Sequence, residues 1–225
     1  SYFHDTIEQF KGGGALFFAS NSSVYLFNNS WYQVNSQFRG APIYASQSNI
    51  IDMSSYYSNS DCKDGNIHIY GASSYKAIDC VFENMTASTE GAFLTVMGAS
   101  TAYLENITMN NMSTSVGAAI AKLAEGSVAI FNNSKANNIH GVLGAAFYLR
   151  ESSSLTLVNT EISNVQATVS VVHATSSNVF LQNVSFTQAS TTILDLVSSS
   201  TIQAHNLTID SILCGSQVGV CVMSL

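Results

Sequence analysis

The chain has 225 residues and a formal charge of −7, and only 9% of its residues are charged, against roughly 25% in an ordinary soluble domain. Thirty-five Ser, 16 Thr and 20 Asn replace the missing charges, so the surface is neutral and rich in hydroxyls. Seven Lys and Arg without a basic cluster exclude nucleic acid as a partner, and no apolar run approaches the ~20 residues of a membrane-spanning helix.

The chain opens on "SYFHDTIEQF", which lacks the positive start of a signal peptide; with Ser in place of Met it reads as a processed segment. Residues 1–12 are expected to form an N-terminal cap or inter-subunit segment, "HDTIEQF" supplying a short amphipathic turn. A repeat follows. Small residues open successive segments at Gly14, Gly40, Gly65, Gly91, Gly117, Gly144 and Ser170, spaced 26, 25, 26, 26, 27 and 26 residues apart. Each segment runs from Gly-Ala and an apolar stretch through a Ser- or Gly-containing turn to an alternating strand and an Asn, as in "GAFLTVMGASTAYLENITMNN".

Three short strands per unit cannot bury an apolar face alone, whereas stacked coils bury a continuous one. Proline occurs only at Pro42 and β-formers dominate, so the expected fold is all-β. It is a right-handed parallel β-helix over residues 13–213, with about eight coils rising ~4.8 Å each. A sandwich or barrel of short strands would need hairpin turns, and Asp64-Gly65 is the one such signal. Period-2 alternation in the second strand of each coil assigns inward positions to Ala102 and Leu104, Val128 and Ile130, Leu155 and Leu157, Val179 and Leu181, and Ile202 and Ala204.

Gly13-Gly14-Ala15-Leu16, with "FNNS" at 27–30, "FENM" at 82–85 and "FNNS" at 131–134, resembles the GGA[ILV] and FxxN elements of polymorphic outer-membrane-protein β-helices. Eukaryotic pectin-lyase-like solenoids look similar. The resemblance covers residues 13 to about 209 and implies the fold and a surface-associated role, with no catalytic residue carried over. It also implies an asparagine ladder. Counting two residues on from each inward apolar position gives Asn29, Asn84, Asn106, Asn133, Asn159, Asn183 and Asn206, with Asp52 in the second coil, all expected to point inward and to bond coil to coil.

Eight N-x-[ST] sequons occur, and four of them, at Asn84, Asn106, Asn183 and Asn206, coincide with that column. The other four, Asn21, Asn28, Asn111 and Asn132, fall in turns or on outward positions and are the expected carriers of N-linked glycans. Four cysteines suit an oxidising setting, and of three connectivities the short loops favour Cys62 with Cys80 and Cys214 with Cys221. The last segment, 214–225, reads as a strand that ends the solenoid.

No catalytic or metal-binding constellation is expected. The carboxylates Asp79, Asp195, Asp210, Glu105, Glu125 and Glu161 share no register, and the five histidines share no ligand spacing. Ser-rich runs at 151–155 and 198–201 read as turns. Sixteen of 23 aromatic residues precede residue 83, among them Trp31, Tyr32, Phe38, Tyr56 and Tyr57. They either fill a wider N-terminal core or stack outward on sugars.

Open solenoid ends invite another chain. The expected function is therefore a non-catalytic structural or adhesive solenoid, extracellular or at the cell surface, glycosylated and stacking end to end with its own kind as a rod or filament, with no cofactor. A carbohydrate-active β-helix enzyme, or a passive glycan-binding module with a carbohydrate or cell-surface partner, is the alternative.

Overall fold

A computed structural model describes residues 2–4, 7–8, 16–19, 22–89, 91–211 and 223–224. They contain strands and turns and no helix, so no helix is long and apolar enough to cross a membrane. Each strand pairs in parallel with its equivalent one coil on, for example Thr101 with Val128 and Lys135 with Glu161. The result is a parallel β-solenoid of about seven turns, rather than the eight expected.

One coil shows the plan. Thr101–Glu105 forms the first face, the chain bends at Asn106, and Thr108–Thr114 forms a second face with a further bend at Asn111. A loop then leads to Ala121–Leu123 on the third face, and Glu125-Gly126 turns the chain back to Val128. The first and second faces are one 17-stranded sheet folded at the bends, and the third is a nine-stranded sheet. Four of the glycines that open the repeats make a left-handed turn into the third face. Gly40, Gly65, Gly91 and Gly144 all have φ between 58° and 69°, and a Cβ on Gly144 would lie 2.2 Å from the Phe147 carbonyl oxygen.

The lumen between the faces is filled in stacked columns. Trp31, Tyr57 and Phe82 occupy one inward position on the second face in three successive coils, with centroid separations of 5.6 and 4.7 Å. This part of the aromatic-rich N-terminal half therefore serves the core. Buried serines line the corner before the first face. The backbone N–H of Ser48 donates to Ser73 Oγ at 3.0 Å and that of Ser73 to Ser100 Oγ at 3.1 Å, so these Ser-rich turns are tied coil to coil.

Several expectations need correction. In the strand Val128–Asn132 the inward residues are Ala129 and Phe131, because burying Phe131 outweighs burying Val128 and Ile130. Asp52 is a fully buried core residue aligned with Leu26 and Ala77, and Ser54 makes the bend in its coil. The three FxxN matches are not equivalent: Phe27 is 69% exposed, whereas Phe82 and Phe131 are buried on different faces. Within the segment expected as a cap or inter-subunit segment, Tyr2–His4 and Ile7–Glu8 are strands that pair with Ser30–Tyr32 and Asn35–Ser36. At the other end Met223–Ser224 pairs with Leu194 and Asp195.

Cys62 and Cys80 are free, buried thiols and do not form the expected disulfide. They face the lumen from different corners, and the Cys80 thiol is bonded to the carbonyls of Ile78 and Asp52. Burial, then the nearby Asp52, pushes the Cys80 thiol up to about 12. Cys214, Cys221 and Asn21 lie outside the described residues.

Candidate functional site

Two asparagine ladders run along the bends, and both are exposed. Asn106, Asn133, Asn159, Asn183 and Asn206 hold the first bend with φ between 48° and 54°. Asn183 Nδ2 donates to Asn159 Oδ1 at 2.8 Å and Asn206 Nδ2 to Asn183 Oδ1 at 2.9 Å, while Asn106 donates to Asp79, the equivalent residue one coil before. Asn and Asp tolerate this left-handed backbone, which is why they recur there. The inward orientation expected for these residues is wrong because alternation stops at the bend: a left-handed residue swings its side chain to the outside of the corner. Asn29 is a buried neighbour of the ladder, one residue past the bend at Asn28.

Asn84 and Asn111 belong to a second ladder that counting along the strand did not separate from the first. Asn84 donates to Asn59 at 3.0 Å, Asn111 to Asn84 at 2.8 Å and Asn138 to Asn111 at 3.0 Å. Beside it opens a depression of about 1040 Å³ lined by Asn138, His140, Asn164, Gln166, Gln188 and Ser190 among others. Of the expected glycan acceptors, Asn111 is thus a bonded ladder member, Asn28 an exposed bend residue, and Asn132 a half-buried residue at the margin of the first face.

The third face gathers chemistry that is scattered in the sequence. His68, Thr95, Lys122, Tyr148, His173 and Asp195 fall in one outward column across successive coils. At one end, Asp64 receives Thr95 Oγ1 at 3.1 Å and lies 3.8 and 4.0 Å from Arg39 and Lys122. His68 stacks on Tyr44, is fully buried, and has neither ring nitrogen hydrogen-bonded among the described residues. Burial, then the charge of Arg39, lowers it to about 3, so it is a neutral ring. At the other end His173 Nδ1 lies 2.7 Å from Asp195 Oδ2 and its Nε2 lies 3.2 Å from Thr175 Oγ1. With Nδ1–H directed at Asp195, Nε2 is left to accept a hydrogen bond from the Thr175 hydroxyl. The sequence pattern does not pair Asp195 with His173, because their separation of 22 positions is one coil only once the fold is known. Among the described residues no group of three or more His, Cys, Asp or Glu is placed to hold a metal.

Inside the lumen, Tyr57 Oη and Tyr75 Oη donate to Asp52 Oδ2 at 2.5 and 3.1 Å. Burial raises the Asp52 carboxyl, and the bonds from Ser55, Tyr57 and Tyr75 work against that rise. This cluster is closed to ligands.

Comparison of the chain with protein-family models, with characterised proteins and with solved structures finds no match. The class that can be stated is the fold itself, a parallel β-solenoid.

Proposed function

We propose that the chain is a non-catalytic structural or adhesive solenoid, working outside the cell or at its surface as a glycosylated rod segment that associates end to end. The observation that carries this reading is registration. Asparagine amides repeat in columns along both bends, so a partner running along a bend meets the same neutral amide chemistry at each ~4.8 Å step. The likeness of the repeat to polymorphic outer-membrane-protein and pectin-lyase-like solenoids supports a surface role. Electron microscopy of the secreted chain tests it. Rods of varying length are expected, and uniform single particles at every concentration would overturn end-to-end association.

A second reading, passive glycan binding, is favoured by the depression beside the second ladder, where Asn138, Asn164, Gln166 and Gln188 stand among apolar Ile139, Val165 and Ala189. Neutral oligosaccharides suit it, since side-chain amides bond hydroxyls without charge. Binding on a glycan array that is lost in Gln166→Ala and Gln188→Ala would support this reading over a purely structural one.

A further inference from the structure

The three faces differ in what they present outward. On the second face the outward columns include Lys135, Glu161, Ser185 and Thr208, and on the third His68, Thr95 and Lys122 of the outward column are themselves buried. The first face is different. Its middle outward column holds Tyr25, Ile51, Tyr103, Ile130 and Phe180, with Lys76, Thr156 and Gln203 as its polar members. The column beside it holds apolar Phe27, Met53, Ile78 and Val158 and polar Glu105, Asn132, Gln182 and His205, and Tyr25 and Phe27 are 76% and 69% exposed. The remaining column is a rim of Ser, Thr and Asn, including Ser74 bonded to Asn49 and Thr201 to Asn178. An apolar centre with a polar rim is the anatomy of a protein interface.

Two observations select a second copy of this chain as the occupant. The first is size. Strands of five residues at ~3.3 Å each, stacked at ~4.8 Å over the eight strands of the face, give roughly 600 Å² per copy, or about 1,200 Å² for a pair, the lower bound of specific interfaces. The second concerns the rings. Lys76 Nζ sits 5.6 Å from the centre of the Tyr103 ring and the Phe180 ring packs near His205, so ring faces are turned along the solenoid and not outward as a sugar platform requires.

We propose that two copies pair sheet to sheet through their first faces, as a closed dimer distinct from, and independent of, end-to-end stacking. Sedimentation equilibrium of the whole chain over a concentration series tests it, with three charge variants alongside. The expected result is a pairing step in the micromolar range, weakened at least tenfold by Ile51→Glu and by Ile130→Glu and unchanged by Thr187→Glu on the second face. Circular dichroism of each variant separates lost pairing from lost folding. A wild-type monomer at ~100 µM, or association that survives both face substitutions, would overturn the proposal. So would a monomer whose first face is instead protected from oxidation by soluble glucan or by phosphatidylcholine vesicles.

Discussion

Asn111 Nδ2 donates to Asn84 Oδ1 at 2.8 Å while its own Oδ1 accepts from Asn138 Nδ2 at 3.0 Å. Both halves of the amide are committed, so Asn111 is a poor glycan acceptor, and Asn106, bonded to Asp79, is another. Glycopeptide mass spectrometry of the chain produced in a secretory host is expected to find a glycan at Asn28 and none at Asn106 or Asn111. Asn132 borders the apolar first face and is expected to be bare; a glycan there would block pairing through that face.

The ladder contributes through both backbone and amide. Asn183→Ala places a residue with no affinity for the left-handed region at φ 53° and removes bonds to Asn159 and Asn206. A loss of about 2–3 kcal/mol is expected from the two effects together. Asn183→Gly relieves the backbone alone and should recover about 1 kcal/mol. Urea unfolding of the two variants checks the division, and equal losses would show that the amide contributes everything.

Asp52 makes stability depend on pH in an unusual direction. Its carboxyl is raised in the fold from 3.8, so the folded state holds the proton more tightly than the unfolded chain. Stability from this group is therefore full below pH 3.8 and declines as pH rises toward the raised value. Asp52→Asn cannot titrate. Its stability relative to the parent chain should grow with pH across that window, by up to about 1.4 kcal/mol per pH unit. A constant difference from pH 3 to 8 would refute this.

His68 works in the opposite sense. Held at about 3 in the fold against 6.5 unfolded, it is neutral when folded and takes a proton on unfolding below pH 6.5. The chain should lose about 2 kcal/mol between pH 8 and pH 5 through this residue. His68→Phe keeps a ring against Tyr44 and should abolish that loss, as read from thermal melts at the two pH values. An equal acid loss in His68→Phe would assign it elsewhere.

The solenoid was legible in the sequence because the glycine turns recur at nearly fixed spacing, and Gly40, Gly65, Gly91 and Gly144 do make equivalent left-handed turns. The site was legible only in part. Alternation reports inside and outside along a straight strand, so Leu104 and Leu157 were placed correctly. It fails at a corner, which is why Asn106 was assigned inward. It also fails where both parities are apolar, as in "VAIF", where only the volume of Phe131 decides. The approach of His173 to Asp195 and the burial of Asp52 between two tyrosines depend on contacts one coil apart, which no local spacing reports.

The turns that carry the buried serines are tied through bonds spanning 25 and 27 residues, and the amide ladders through bonds spanning 23 to 27. A gene duplication that adds one whole coil would leave every column matched, whereas gaining or losing a single residue within a strand would misalign the strand's whole inward set. The molecule can thus change length over evolutionary time only in whole-coil steps, and it keeps its cross-section while doing so.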